Sequence, residues 1–212
     1  MILSSKTKQT SLPWGGAGGG LRIGIYGGSF NPIHRGHIAL AKQILRQARL
    51  DEVWFLVTPL NPFKTSSTDL LDDAVRLELA RKALVDEKQL VASDYEFHLP
   101  CPSYTWDTLQ ALSHDYPEHE FVLVIGADNW IAFDRWYHAE DILSHYRVVI
   151  YPRENCPVDV NLLPDGVTLV ETRLYNISST EIRQRIAEGR GIRRMVPPAI
   201  ADDVLQLYGQ KG

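Results

Sequence analysis

The sequence predicts an α/β fold built on a mainly parallel sheet with helices on both faces. Three observations predict it. Short apolar runs alternate with stretches of helical periodicity along the 212 residues, which is the pattern of βαβ units joined by right-handed crossovers. Several of those runs are continuously apolar, as strands covered on both faces are. The composition, 44% hydrophobic and 23% charged, is that of an ordinary globular chain long enough to bury a sizeable core.

Residues 1–20 stand apart: they are Ser-, Thr- and Lys-containing, then Gly-rich, a composition that buries no core and reads as a flexible leader. No Lys-Ser or Lys-Thr pair follows those glycines, so they form no phosphate loop of that type. Residues 21–212 read as a single domain. The apolar run 21–26 predicts the first strand, and 36–48 a helix. Residues 53–57 form a short strand ending at Thr58-Pro59. Residues 72–85 form a helix with apolar Val75, Leu79 and Ala83 and acids in its first turn. Residues 90–92 are a strand and 95–97 a further short one. Residues 103–112 are helical. The runs 121–125, 147–151 and 167–170 are strands, the first strongly apolar. Residues 154–166, with Pro and Asn, are a long surface loop. A helix over 179–188 stops at Gly189, and 198–208 is the last helix.

The net charge of −4 argues against nucleic-acid binding, which needs a basic face. It leaves room for a local cationic pocket. The two cysteines, Cys101 and Cys156, lack the spacing of a zinc knuckle or redox pair and suit isolated thiols in a reducing cytoplasm. No run is long and apolar enough for a membrane span, and no signal peptide is recognised. A homo-oligomer is left open.

The most informative stretch is Gly27-Gly28-Ser29-Phe30-Asn31-Pro32-Ile33-His34-Arg35-Gly36-His37. It joins the end of the first strand to the first helix. A parallel sheet places its ligand at such a strand end, amides at a helix start favour an anion, and two imidazoles add donors that can charge near neutral pH. The combination predicts a phosphate site. The plain alternative is a tight turn with two incidental histidines. A metal site would need further ligands that the neighbourhood does not suggest.

Asn176-Ile177-Ser178-Ser179-Thr180-Glu181-Ile182-Arg183 opens the 179–188 helix with hydroxyls. It fits a capping box of Ser178 with Glu181 and equally a second anion cradle, with Arg183 as a bidentate phosphate ligand. Lys64 follows the second strand and gains interest only because that loop lies on the ligand face. Tyr104, Thr105 and Trp106 suit core or site. Gly126 and Asp128 follow the strand at 121–125, where the glycine permits close approach and the acid can accept from a nucleotide. Trp136 and Tyr137 lie shortly downstream and suit core or ring stacking.

The segment Gly28 to His37 resembles the GxFxPxHxGH signature of nucleotidyltransferases, and Ile177 to Arg183 resembles that superfamily's second signature. Pro102-Ser103-Tyr104-Thr105, Ile125-Gly126-Ala127-Asp128 and Trp136-Tyr137 are similar to the bacterial nicotinate-nucleotide adenylyltransferase family. One departure is Phe63, where many members carry histidine before the Lys64 position. The resemblance implies a Rossmann-like nucleotidyltransferase fold and a reaction of ATP, as Mg-ATP, with nicotinate mononucleotide. It implies His34 and His37 on the triphosphate, with His37 nearest the α-phosphate. Lys64, Ser179 and Arg183 would hold the departing phosphates, and Gly28, Ser29 and Phe30 would give backbone contacts. Gly126, Asp128, Ile177 and Ser178 complete the ATP side. Gly27, Ser29, Tyr104, Thr105, Trp136 and Tyr137 form the nicotinate side, Trp136 stacking on the ring. Mg2+ would ride on phosphate oxygens and water, with no protein metal site. Rival readings are a transferase with another acceptor such as phosphopantetheine, a nucleotide-binding regulator without catalysis, and, last, an RNA-charging enzyme.

Overall fold

The computed structural model describes residues 19–59, 70–173 and 175–209. Six strands, β1 (Arg22–Gly28), β2 (Glu52–Val57), β3 (Leu90–Ser93), β4 (Glu120–Gly126), β5 (Arg147–Tyr151) and β6 (Val167–Leu169), form one sheet of order β3-β2-β1-β4-β5-β6. Every pairing is parallel. The chain runs outward from β1 to one edge, then returns to build the other half from β4. The order reverses between β1 and β4, and crevices for ligands open at such a switch point.

Strand alternation sorts the core into two layers. Tyr26, Val53, Phe55, Val122, Val124 and Val149 face one layer. Ile23, Ile25, Leu123, Ile125, Val148 and Ile150 face the other. The first layer is covered by α1 (Arg35–Gln47), α2 (Asp73–Ala83), α6 (Ser179–Ala187) and α7 (Ala201–Gly209). The second is covered by α3 (Thr105–Asp115) and α5 (Ala139–His145), with the one-turn α4 (Ala127–Ile131) at the end of β4. Helices on both faces explain why the central strands lack polar alternation.

The structure corrects the expectation in three places. The strand expected at 95–97 is a 3-10 turn, Tyr95–His98. Ser93 Oγ accepts from the Tyr95 amide at 3.2 Å and the Asp94 carbonyl from the Phe97 amide at 2.8 Å, so local bonds curl the chain before it can pair. The last helix begins at Ala201 after a 3-10 turn, Pro198–Ile200, closed by the Ile200 amide donating to the Pro197 carbonyl at 3.2 Å. Between β4 and β5, where no helix was expected, α4 and α5 form with only five and seven residues, too short to show periodicity. The loop at 154–166 contains a 3-10 turn, Val160–Leu162. Residues 1–18 of the expected leader lie outside the described residues. Among the described residues no helix is long and apolar enough to cross a membrane.

Candidate active site

A cleft opens at the carboxyl ends of β1 and β4 and has two lobes. The first, about 590 Å³, lies between the end of β1, α1 and the start of α6. The second, about 490 Å³, lies between the ends of β1 and β4 and the start of α3. Gly27 and Gly28 line both, as do Tyr26, Thr58, Asn129 and Tyr151.

His34 and His37 sit at the start of α1, which they also build. His34 is the N-cap: its Nδ1 accepts from the His37 amide, and His37 Nδ1 accepts from the His34 amide, both at 3.3 Å. The exchange is a capping box made of two imidazoles. The rings stack with centroids 3.5 Å apart. A ring nitrogen that accepts carries no proton, so each neutral ring keeps its proton on Nε2. Burial lowers the His34 pKa to about 3, with Arg153 adding to the shift. Burial, then His34 and Arg153, also hold His37 well below its ordinary value. The expectation of rings that charge near neutral pH is therefore corrected for the free protein. The two histidines are neutral donors, because burial removes the water that would stabilise the cation.

The expected cradle of amides at this helix start is also smaller than anticipated. The His37 amide serves the cap, and the Arg35 amide donates to the Met195 carbonyl at 2.9 Å. Gly36 sits in close quarters: a Cβ there would lie 3.0 Å from His34 Nδ1 and 3.4 Å from Tyr175 Cβ. Phe30, with φ of +42°, turns the chain into the left-handed region that non-glycine residues seldom occupy. Its ring is buried edge-on to His37 and Tyr26, so the backbone faces the lobe while the side chain anchors it.

The second motif closes the lobe from the other side. Ser178 caps α6, accepting from the Glu181 amide at 3.1 Å. The cap is real, and the next hydroxyl reaches across to the first motif, Ser179 Oγ donating to the Pro32 carbonyl at 2.9 Å. Arg183 donates to the Asn31 carbonyl at 2.8 Å. Ile177, Ser178, Ser179 and Arg183 all line the first lobe with Ser29, Phe30, His34 and His37.

The structure adds Arg153 and Arg173 to this lobe. Arg153 lies 3.3 Å from Asp128 and 5.3 Å from the Tyr151 ring centre. Asp128 is the only acid lining the lobe among the described residues. Gly126 permits this ion pair, since a Cβ would fall 2.2 Å from Asp128 Oδ1 and 3.1 Å from Arg153 Nε. Arg153 was legible in principle, being a cation just past a strand end, as Lys64 is. Lys64 and Phe63 lie outside the described residues.

The second lobe is aromatic at its mouth. Tyr104 and Tyr137 are 39% and 49% exposed, with ring centres 4.9 Å apart. Trp136, leaning on Phe133 at 5.1 Å, and Thr105 line it with them. Helix α3 starts beside this lobe with Tyr104 as N-cap and no side-chain cap, so its first amides lack an acceptor within the helix. The Trp136 amide is engaged with the Phe133 carbonyl at 2.9 Å. Arg135 supplies a cation, and Glu96, Ser103 and Thr108 a polar wall; Arg135 and Glu96 were not anticipated. Trp106 instead stacks on His138, centres 5.4 Å apart, away from both lobes. Of the expected ATP residues, Gly126 lines the second lobe and not the first. Of the expected nicotinate residues, Ser29 lines the first and not the second. No group of three or more His, Cys, Asp or Glu suited to a metal forms among the described residues.

The chain is similar to proteins of known name. A cytidylyltransferase-like family model matches residues 25–185. A "Probable nicotinate-nucleotide adenylyltransferase" of Bacteroides fragilis is 47% identical over 87% of this chain and 92% of its own. One of the same name from Bacteroides thetaiotaomicron is 47% identical over 90% of this chain and 94% of its own. The solved structure of Plasmodium falciparum nicotinic acid mononucleotide adenylyltransferase with NaAD superposes with a TM-score of 0.74 at 21% identity, over 89% of this chain and 97% of that one; it supports the fold.

Proposed function

We propose a mechanism from the premise that the chain belongs to the nicotinate-nucleotide adenylyltransferase family and carries out its reaction: the adenylyl group of ATP passes to nicotinate mononucleotide, giving nicotinate adenine dinucleotide and pyrophosphate in NAD biosynthesis. The observation that carries the reading is the pair of lobes meeting at Gly27-Gly28. One lobe is rich in cations and donors, as a triphosphate needs. The other is aromatic, as a pyridine ring needs.

The mononucleotide phosphate oxygen forms a bond to the α-phosphorus as the bond from that phosphorus to the pyrophosphate oxygen breaks. The nucleophile is already an anion, so no base is required. The chain's work is to align two repelling phosphates and to stabilise spreading charge. In the first lobe, the Nε2–H groups of His34 and His37 donate to the α-phosphate side. Their reciprocal cap fixes both rings in advance of binding, so little reorganisation accompanies reaction. Arg183 and Ser179 serve the departing β- and γ-phosphates with Lys64, and the Ser29–Phe30 backbone contacts the chain of phosphates. Arg153 and Arg173 add positive potential. Asp128 and Gly126 stand on the adenosine side, and Ile177 and Ser178 complete it. Mg2+ would be held by ATP phosphate oxygens and water rather than by side chains, and would offset phosphate charge there.

In the second lobe Trp136, Tyr104 and Tyr137 hold the pyridine ring. The uncapped start of α3 at Thr105, with Arg135, receives the carboxylate, since helix-start amides favour an anion. A nicotinamide would turn its NH2 toward those donors and bind less well. The working place is the cytoplasm, with ATP and nicotinate mononucleotide as partners.

The test is His37→Ala in a pyrophosphate-release assay. Loss of one preorganised donor lowers turnover about 10²- to 10³-fold in a protein that keeps its circular dichroism spectrum. Near wild-type turnover would remove His37 from the machinery.

A further inference from the structure

The turn that carries both histidines is held from outside by side chains of three helices. Arg76 on α2, fully buried, donates to the Ser29 carbonyl at 2.6 Å and to the Thr58 carbonyl at 3.1 Å. From α6, Ser179 and Arg183 take the Pro32 and Asn31 carbonyls, as described above. A further hold comes from α7. Tyr208, in the last turn of α7, donates its phenol O–H to Asn31 Oδ1 at 2.6 Å. The Leu71 amide donates to the same oxygen at 3.2 Å.

A carboxamide oxygen accepts at two lone pairs, so these two donors saturate Asn31 Oδ1 and fix the plane of its amide. Asn31 is 5% exposed and Tyr208 8%. Asn31 follows Phe30, whose φ is +42°, and precedes His34 by three residues. A backbone in that sparsely populated region keeps its shape only while its surroundings determine it. Burial raises the Tyr208 pKa above its ordinary value, so the phenol stays a donor. Tyr208 lines neither lobe. If the residue served only to fill the core beside α2 and α6, a phenylalanine would serve as well.

We propose that Tyr208 is a positioning residue for adenylyl transfer: its hydroxyl, bonded to Asn31, keeps the 29–34 turn in the shape that aims His34 and His37 at the α-phosphate. The proposal rests on the reading of the first lobe as the ATP site.

The test compares wild type, Tyr208→Phe and Val204→Ala by steady-state pyrophosphate release with ATP and nicotinate mononucleotide, well below each melting temperature. Tyr208→Phe keeps the ring and removes one oxygen. Its kcat falls about 10-fold, within what small misplacement of reacting groups costs, while both KM values stay within about 2-fold. Val204→Ala truncates a fully buried side chain on the same helix. It lowers the melting temperature and leaves kcat unchanged, which separates positioning from stability. A Tyr208→Phe kcat matching wild type overturns the proposal alone. A Val204→Ala kcat that falls as far as that of Tyr208→Phe overturns it too, by making the loss one of stability. A wild type that releases no pyrophosphate removes the ATP-site reading and the proposal with it.

Discussion

At the scale of residues, the site turns on which protons its two histidines hold. Their place in a strand-end motif was legible in the sequence, because glycines, imidazoles and a helix start converged on one segment. Their protonation was not, since it depends on each Nδ1 accepting the other's amide and on burial supplied by distant residues. A buried neutral ring stabilises the fold only while it stays neutral. The unfolded His34 takes up its proton near 6.5 and the folded one near about 3. Between those values the unfolded chain binds the extra proton, so this contribution is complete above the upper value and lost as pH falls toward the lower. Site-resolved nuclear magnetic resonance of the free protein should find both rings as Nε2–H tautomers, unchanged from about pH 8 to about pH 5. Either ring titrating near its ordinary value would contradict the account. Arg76 and Tyr208 escaped the sequence reading for a related reason. A buried arginine and a helix tyrosine reveal their roles only when the fold sets them against Ser29 and Asn31.

At the scale of elements, the legible strands were those with long apolar runs. β4 and β5 are interior strands, each paired on both sides, and bury nearly every side chain. The elements that escaped are short ones whose form follows from local bonds, such as the Tyr95–His98 turn and α5. The second lobe depends on some of these. Its wall at 133–137 is a 3-10 turn running into Trp136, and another side is the start of α3, which has no side-chain cap. The two lobes are built by different elements, so they should fail separately. Trp136→Ala removes an aromatic contact of about 1.5 kcal/mol, which is about 10-fold in affinity. The KM for nicotinate mononucleotide should rise by that factor while the KM for ATP holds within about 2-fold. Equal rises in both would mean that the lobes do not divide the substrates.

At the scale of the whole molecule, the sheet reverses its order between β1 and β4, and the cleft opens there. The parallel α/β plan was readable from alternating apolar runs and helical stretches. The reversal was not, because strand order depends on which neighbour each strand finds rather than on its own composition. That topology brings a motif near residue 30 against one near residue 180, through Ser179 on Pro32 and Arg183 on Asn31. It also sets an aromatic lobe beside a cationic one across Gly27 and Gly28. The central claim is that this double cleft joins ATP to a mononucleotide bearing a carboxylate. The measurement that tests it most directly is pyrophosphate release with ATP and Mg2+, comparing nicotinate mononucleotide, nicotinamide mononucleotide and phosphopantetheine as acceptors. Release with nicotinate mononucleotide should lie far above that with the other two. Release driven equally well by nicotinamide mononucleotide or by phosphopantetheine, or by none of the three, would contradict it.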